Sequence, residues 1–586
     1  MSTRQKTPKK PKEAKQSKQA EKQTEKLPML TLLTSVGRAT ALLLIAGIAS
    51  PISQLNLSPV YGSIPSSLHH QRSMTFTAIA ALVARNSLKK YVSDSISEYI
   101  AVIAYWTPVI QFFLFQHSSQ LGIEYGPMIV ESVTYFPLLF LSIYAAFELL
   151  DCIDLTKFNL PDSLKQIMLP MISYTTVSTT SKIASSIIPT FVGNHIYFTR
   201  IGFQMLLASI SAFLTPSRII LFAFPAILHT LWANPHHPSE SAFIKANASL
   251  STQNFTILAR QESNTGYVSV LESQADIAFR ILRCDHSLLG GEWLVTPEAY
   301  AKGQRQRETI FSVFVLLEAV RLVENRGIEE PAAALPDSQK SALVIGLGIG
   351  TAPNALIAHS INTTIVELDP VVHAYATRYF SLSPKHTAVI DDAVAYVDRT
   401  SRSTPASYDY IIHDVFTGGA EPVALFTKEF LTGLYDLLHE DGVVAINYAG
   451  DLALGSTQLV LNTIHAVFPA CRLFRDQPPS ADHKPGDADF INMVVFCVKN
   501  DGGKGKAALT FRAPMEKDFL GSLARKSYLE PKPQLEIAYE YMPKERGGKE
   551  MTRADVGELE KYHNDGAVSH WRIMRTVLPD AVWEMW

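Results

Sequence analysis

Long apolar runs with few charges dominate residues 28–233 of the chain. The runs cover residues 39–57, 99–116, 128–150, 167–192, 201–214 and 219–232. A bilayer core needs roughly 20 residues of helix, and the run 128–150 reaches that length by itself. The pattern therefore predicts a multi-span helical membrane domain with about six spans, five to seven being the range. The alternative is a large soluble helical domain, which so little charge disfavours.

The pattern changes between residues 234 and 327, where polar and apolar positions mix. Residues 266–272 and 279–285 alternate between apolar and polar side chains, as the strands of a hairpin do. Residues 308–323 show helical apolar spacing instead. This segment predicts a small β-hairpin domain and a helix on the substrate side.

A glycine-rich turn follows an apolar strand near the start of the segment 341–500. The strand ends at Gly346, Gly348 and Gly350, and a helix-like segment, 351–360, comes next. Small residues at such a turn let the backbone approach a ligand, which the helix N-terminus then faces. The turn predicts a cofactor site in a Rossmann-like α/β domain of the class I methyltransferase type.

Acidic residues end the next strands of this predicted sheet, about 20 to 25 residues apart. Glu367 ends the second strand, Asp392 and Ala393 follow the third, and Asp414 ends the fourth. Glu367 is suited to binding ribose hydroxyls, and Asp414 can accept a proton or orient an amine. The structural alternative for Asp414 is a helix cap. Together the strand ends predict an adenosine-type cofactor.

The net charge of −3 hides a strongly basic segment, residues 1–27. This segment has almost no apolar residues, so it predicts a disordered tail, with contact to anionic lipid as the alternative. The positive-inside rule places the tail in the cytosol. An even number of spans then places the catalytic domain there too. Two glycosylation sequons, at Asn247 and Asn254, are interpreted as chance occurrences.

Few other signals for chemistry stand out in the chain. Cys152, Cys284, Cys471 and Cys497 contain no CxxC pair, which supports neither a zinc site nor a disulfide framework. No basic, aromatic-rich surface for nucleic acid is seen. The extension 501–586 ends in a Trp-bearing helical stretch. It predicts docking on the catalytic domain, with a membrane interface as the alternative.

Residues 255–500 resemble the polyamine aminopropyltransferases, the spermidine and spermine synthase family. The resemblance rests on a hairpin domain and a helix, then a glycine loop at 344–350 and an Asp at the end of a strand. It implies that Glu367 binds the ribose of the cofactor and that Asp392 and Ala393 lie beside the adenine. It also implies that Asp414 belongs to a catalytic loop. The amino-acid sequence of that loop looks closer to a membrane-fused branch of the family than to the soluble synthases.

The chain also departs from the pattern of that family. Ile349 replaces the acid that would meet the aminopropyl amine, and Thr417 replaces the acid that would hold the polyamine. Phe311 and Val313 stand where a Tyr and a Glu are expected. A dicationic amine needs carboxylates and aromatic faces. Asp285 can supply a second acid facing the cleft, although a turn cap is the alternative.

Three functions remain open at this point. The first is aminopropyl transfer from decarboxylated S-adenosylmethionine to a polyamine or another small amine by a membrane-anchored transferase. The second is an S-adenosylmethionine-dependent methyltransferase, which the loss of the acid at Ile349 favours. The third is a non-catalytic nucleoside-binding sensor. The lipid bilayer is the expected partner, no metal or nucleic acid is expected, and a homodimer is one alternative for the oligomer.

Overall fold

The computed structural model describes residues 28–88, 96–151, 161–327, 335–415, 422–452, 454–479, 490–539 and 548–586. The basic segment 1–27 and Thr417 lie outside these residues, so the predictions made for them stay predictions. The described chain contains a helical module, an antiparallel sheet, a larger mixed sheet and a set of C-terminal helices.

The helical module begins the described chain. Its helices are α1 (Pro28–Tyr61), α2 (Ser63–Ser67), α3 (His70–Leu88), α4 (Tyr99–Phe115), α5 (Ser118–Ser132), α6 (Tyr135–Leu150), α7 (Asp162–Ile187), α8 (Arg200–Leu214) and α9 (Phe224–Leu228). Three stretches among the described residues, Leu32–Tyr61, Ile96–Phe115 and Ser118–Leu150, are long and apolar enough to cross a membrane. The count of about six spans stays a prediction.

Large apolar side chains cover much of the outer surface of this module. Phe76, Phe213 and Leu221 are between 73% and 84% exposed. Extended apolar surfaces of this kind mark contact with a membrane or with another protein. The exposed surface of the module is therefore apolar, as the surface of a helical bundle in contact with lipid or with another protein is.

A five-stranded antiparallel sheet follows, and its strands pair in chain order. Its elements are α10 (Glu240–Ser251), β1 (Phe255–Glu262), β2 (Tyr267–Ser273), β3 (Phe279–Cys284), β4 (Ser287–Trp293), α11 (Pro297–Ala301), β5 (Glu308–Thr309) and α12 (Ser312–Leu317). A two-residue turn, Asp285 and His286, joins β3 to β4, and Asp285 has a left-handed φ of 46°. We call Asp285–Ser287 the hairpin turn.

The larger sheet has the doubly wound topology that positions ligands at the carboxyl ends of its strands. Its elements, with the strand β6 that precedes them, are β6 (Val323–Asn325), β7 (Ser341–Ile345), α13 (Thr351–Ala358), β8 (Asn362–Glu367), α14 (Pro370–Tyr379), β9 (Thr387–Ile390), α15 (Ala393–Ser403), β10 (Tyr408–His413), α16 (Lys428–Leu437), β11 (Leu438–Asp451), α17 (Gly455–Val467), β12 (Ala470–Arg475) and β13 (Phe490–Val498). The C-terminal elements are β14 (Leu509–Phe511), α18 (Leu523–Tyr528), β15 (Glu536–Ile537), α19 (Val556–Leu559), α20 (His563–Val577) and α21 (Asp580–Glu584).

The strand order of the large sheet is β15-β12-β13-β11-β10-β7-β8-β9. Strands β7 to β11 run parallel to their neighbours among themselves, whereas β13 pairs antiparallel with both β11 and β12. The order reverses between β7 and β10, because β8 lies on the far side of β7. Such a switch point opens a crevice beyond the strand ends.

The C-terminal end of α1 docks onto the rest of the protein through its backbone carbonyls. The last carbonyls of a helix lack partners within the helix. Here Arg283 donates to the carbonyl of Pro59 at 2.6 Å, and Trp571 and Arg575 donate to that of Val60 at 3.0 and 3.1 Å. Positive side chains also complement the negative end of the helix dipole. The long apolar helix is thereby fixed to β3 and α20.

Arg200, fully buried at the start of α8, forms a second junction between the modules. Its Nη1 lies 3.2 Å from Glu262 on β1, and its Nη2 donates to Asp285 at 2.9 Å. Its Nε donates to the carbonyl of Leu55 on α1 at 2.7 Å. Removing one partner of such a buried ionic group is costly, because the other charge then stays uncompensated. Arg200 therefore holds the hairpin turn against the helical module.

The cysteine interpretation needs one correction. Cys471 and Cys497 lie opposite each other on β12 and β13 and form a disulfide. The sequence showed no framework because the two positions are 26 residues apart and meet only through strand register. Cys284 is a free cysteine.

Candidate active site

A cavity of about 270 Å³ lies at the carboxyl ends of β7, β8 and β10. Four parts of the chain line it. The large sheet supplies one wall. The opposite side comes from the segment 61–65, where α1 ends and α2 begins, from the hairpin turn and from helix α20. The cavity therefore lies where the catalytic sheet meets the helical module.

The glycine loop lines this cavity through Gly346, Leu347 and Gly348. Gly346 and Gly350 have φ values of 84° and 86°, which strain any other residue. A Cβ on Gly346 would also lie 2.1 Å from the carbonyl oxygen of Asp414. Gly346 is thus required by close approach of the protein's own backbone, in addition to any approach of a ligand.

Glu367, at the end of β8, faces the same cavity. Its carboxylate accepts hydrogen bonds from the backbone N–H groups of Leu347 at 3.0 Å and Asp369 at 2.8 Å. Burial raises the pKa of Glu367 to about 7, although these backbone donors oppose the shift. The side chain is therefore oriented by the glycine loop, and its remaining lone pairs can accept hydroxyl donors.

The third strand end supplies Asp391, Asp392 and Ala393 to the cavity lining. Asp392 caps α15 by accepting from the N–H of Val394 at 3.0 Å. Asp391 forms an ion pair with Arg399 at 2.8 Å, and this hydrogen bond lowers the pKa of Asp391. Asp369 caps α14 by accepting from the N–H of Val371 at 2.7 Å. Asp392 thus combines a capping role with a place at the cavity.

Asp414 follows β10 and lines the cavity at the switch point of the sheet. Its backbone N–H donates to the carbonyl of Ile345 at 2.9 Å, which holds the residue against the end of β7. Asn447 on β11 donates to its Oδ1 at 2.7 Å. Burial raises the pKa of Asp414 to about 6, while Asn447 lowers it. A carboxylate with this pKa is ionised near neutral pH and can still take up a proton.

Asp285 reaches the cavity from the opposite side. Its Oδ1 accepts from Nη2 of Arg200 at 2.9 Å and from the N–H of Tyr267 at 2.8 Å. Asp285 therefore does both things that the sequence offered as alternatives: it stabilises the turn and it faces the cleft. The two carboxylates Asp285 and Asp414 line one cavity from two domains.

Ile349 does not line this cavity. It is 5% exposed and packs with Val268, Leu282 and Val372 in an apolar cluster between the two sheets. Val313 is buried in the core of the large sheet. Ile349 and Val313, two of the positions at which the resemblance expects acids, are therefore used here for packing.

Several lining residues were not anticipated from the sequence. They are Tyr61, Ser63, Cys284, His286, Ser287, Asp391, His570 and Trp571. Trp571 and Val60 are 511 residues apart in the chain, so no local pattern shows their contact. His286 lies between the rings of Trp571 and Trp583, with centroid distances of 5.6 and 4.2 Å. Within the described parts of the chain, no cluster of three or more His, Cys, Asp or Glu side chains is arranged to hold a metal.

Comparison of the sequence with known proteins shows the family to which the chain belongs. Residues 325–475 match the spermine/spermidine synthase domain. An N-terminal histidine N-methyltransferase from Emericella nidulans is 43% identical over 556 residues, which cover 93% of this chain and 96% of that protein. The chain belongs to the family of this N-methyltransferase.

More distant relatives match only parts of the chain. A polyamine aminopropyltransferase from Vibrio vulnificus is 39% identical over 109 residues, 18% of this chain and 36% of that protein. A probable spermidine synthase structure from Corynebacterium glutamicum is 17% identical, with a TM-score of 0.33, and covers 49% of this chain and 98% of that one.

These comparisons identify the chain as a transferase of the Rossmann-like methyltransferase type whose cofactor is S-adenosylmethionine. They favour the methyltransferase alternative over aminopropyl transfer, because the relative that matches almost the whole chain is an N-methyltransferase. Polyamine biosynthesis and a membrane-fused branch remain sequence-based predictions.

Proposed function

We propose that this protein is an S-adenosylmethionine-dependent methyltransferase that modifies a polypeptide with an N-terminal histidine. The observation that carries the proposal is the relative with that activity in its name, aligned over 93% of this chain. The apolar environment of Ile349 agrees with it, since a cofactor that keeps its carboxylate does not need an acid at this position.

The lining of the cavity fits this cofactor. Glu367 is positioned to accept hydrogen bonds from a ribose diol, and Asp392 with Ala393 lies at the next strand end, where the adenine would bind. The loop from Gly346 to Gly348, at the end of β7, lines the cavity on the other side of Glu367. Bound S-adenosylmethionine would supply an electrophilic methyl group on a positively charged sulfur.

Asp414 has the properties needed on the acceptor side. A nitrogen acceptor must present a lone pair and must lose, or share, a proton as it becomes positively charged. The carboxylate of Asp414 can accept the N–H of an imidazole or amine, orient it, and stabilise the developing charge. Asn447 keeps one carboxylate oxygen fixed at 2.7 Å. The other oxygen then serves the acceptor.

We further propose that the helical module anchors the enzyme in a bilayer, with its N-terminus and catalytic domain on the cytosolic side. The basic charge of residues 1–27 and the exposed apolar surface of the module support this placement. Of the two sequons, Asn247 hydrogen-bonds both backbone groups of Ile257, whereas Asn254 is exposed. Asn254 is thus the position that reports the side of the membrane.

The test uses the full-length protein purified in detergent with S-adenosylmethionine carrying a labelled methyl group. Acceptors are a peptide that begins with histidine, the same peptide beginning with alanine, and spermidine. We expect label on the histidine peptide, located by mass spectrometry on its first residue. A parallel reaction contains decarboxylated S-adenosylmethionine as the cofactor. Transfer to spermidine in that reaction, with no methylation of the peptide in the first, would overturn the proposal in favour of aminopropyl transfer.

A further inference from the structure

The cavity has a second wall that does not belong to the matched domain. The spermine/spermidine synthase match ends at residue 475 and begins at residue 325. The hairpin turn precedes it by about 40 residues, and helix α20 follows it. Because the strand ends of the large sheet account for the cofactor, this second wall is where an acceptor would lie.

Two polar atoms on this wall are buried without a hydrogen-bond partner among the described residues. They are Oγ of Ser287, whose residue is 6% exposed, and Nδ1 of His286, whose residue is 3% exposed. Buried polar groups are nearly always hydrogen-bonded, and exceptions need an explanation. A ligand that pairs with them explains their place in the cavity lining.

The tautomer of His286 follows from its neighbour. Nε of Arg575 donates to Nε2 of His286 at 3.1 Å, so that Nε2 carries no hydrogen. Burial, with the charges of Arg575 and Arg283, lowers the pKa of His286 well below its ordinary value. The ring is neutral and its hydrogen is on Nδ1. Ser287 can donate or accept. The neighbouring Trp571, whose ring stacks on His286 and lies under the Arg575 guanidinium, also lines the cavity.

The hairpin turn that carries both atoms is rigidly supported. Arg200 donates to the side chain of Asp285 at 2.9 Å, and Arg283 donates to its carbonyl at 2.6 Å. Arg575, on α20, donates to the side chain of His286, the next residue of the turn. Three arginines from three segments therefore fix the turn before any ligand arrives, which lowers the entropy cost of binding.

We propose that His286, Ser287 and Trp571 form the acceptor subsite, and that it binds the nitrogen ring of a terminal histidine. This inference rests on the proposed function and names the part of the site that recognises the acceptor. The ring lies beside the part of Trp571 that lines the cavity, and its nitrogen that is not methylated donates its hydrogen to Asp414. The terminal amino group of the same residue pairs with the Ser287 hydroxyl. A spermidine chain offers no flat ring to this wall.

The test compares Ser287→Ala with a matched control, Ser269→Ala. Ser269 on β2 is 1% exposed, and its Oγ likewise lacks a partner among the described residues, but it does not line the cavity. The full-length variants are assayed for methylation of a peptide that begins with histidine. Calorimetry then measures binding of S-adenosylmethionine alone, and of the peptide with S-adenosylhomocysteine present.

We expect Ser287→Ala to raise the KM and the dissociation constant for the peptide roughly five- to tenfold. Its cofactor affinity should change less than about twofold, and Ser269→Ala should alter neither constant. Equal peptide affinity in Ser287→Ala and wild type would overturn the subsite, and so would a wild-type protein that binds no histidine peptide. A wild type that binds the peptide but transfers no methyl group would support the subsite and overturn the proposed function.

Discussion

Replacing Asn447 with leucine removes the amide that donates to Oδ1 of Asp414 at 2.7 Å. Burial raises the pKa of this carboxyl to about 6, and the Asn447 hydrogen bond is the interaction that opposes the shift. A hydrogen bond to a charged group contributes roughly 1.5–3 kcal/mol, and one pKa unit corresponds to about 1.4 kcal/mol. The pKa of Asp414 in Asn447→Leu is therefore expected to rise by about one to two units.

The sign of the effect on activity follows from the ionised form. With a pKa of about 6, Asp414 is roughly 90% ionised at pH 7, whereas the variant would be about half ionised or less. If the carboxylate orients the acceptor, kcat is lost as the pH falls through this pKa. The acid limb of the kcat profile should thus move to higher pH in Asn447→Leu. In Asp414→Asn the limb should disappear, with kcat reduced about 10²–10⁴-fold.

The assay is methyl transfer to a histidine peptide between pH 5 and 9 with both substrates saturating. The peptide imidazole also titrates near pH 6.5. That limb belongs to the free substrate, so it appears in kcat/KM and is the same for every variant. The reasoning fails if a folded Asn447→Leu with normal cofactor affinity keeps its kcat limb at the wild-type pH.

Three further predictions concern the cofactor site, the apolar loop position and the orientation. Glu367→Ala is expected to weaken S-adenosylmethionine binding about tenfold or more. Wild-type affinity should also fall as the pH drops below the Glu367 pKa of about 7. Calorimetry, with Glu367→Gln as the control, measures both effects, and an unchanged dissociation constant for the cofactor would contradict the prediction. Ile349→Asp is expected to lower the thermal midpoint strongly, since it buries a carboxylate in an apolar cluster, and a stable variant that gains aminopropyl transfer would refute this. Exposed Asn254 should carry no glycan if the domain is cytosolic, so endoglycosidase should not change gel mobility. A shift that Asn254→Gln abolishes would place the domain in the lumen.

The elements of the large sheet were readable from the sequence because each leaves a local signal. An apolar strand before Gly346 and strands that end at Glu367 and Asp414 show the doubly wound order directly. These positions lie at one edge of the sheet in the structure and line one cavity. Their roles in binding and catalysis stay predictions, since position alone does not test them.

Contacts made by distant segments left no such signal. Asn447 lies in the middle of an apolar strand, and only the pairing of β10 with β11 brings it to Asp414. Helix α1 reads as a membrane span, and no residue in its last turn is basic. The positive groups that complement its end, Arg283 and Arg575, come from β3 and α20.

The division of the cavity explains how one fold can serve two chemistries. The proposed cofactor half is built from strand ends within the match to the spermine/spermidine synthase domain, whereas the proposed acceptor half is built from segments outside that match. An exchange of the outer wall can therefore change the acceptor while the adenosine site is kept. Because Arg200 ties this wall to helix α1, loss of the helical module would leave the hairpin turn without its support. On this reasoning the helical module is a structural part of the proposed acceptor site in addition to its proposed role as an anchor.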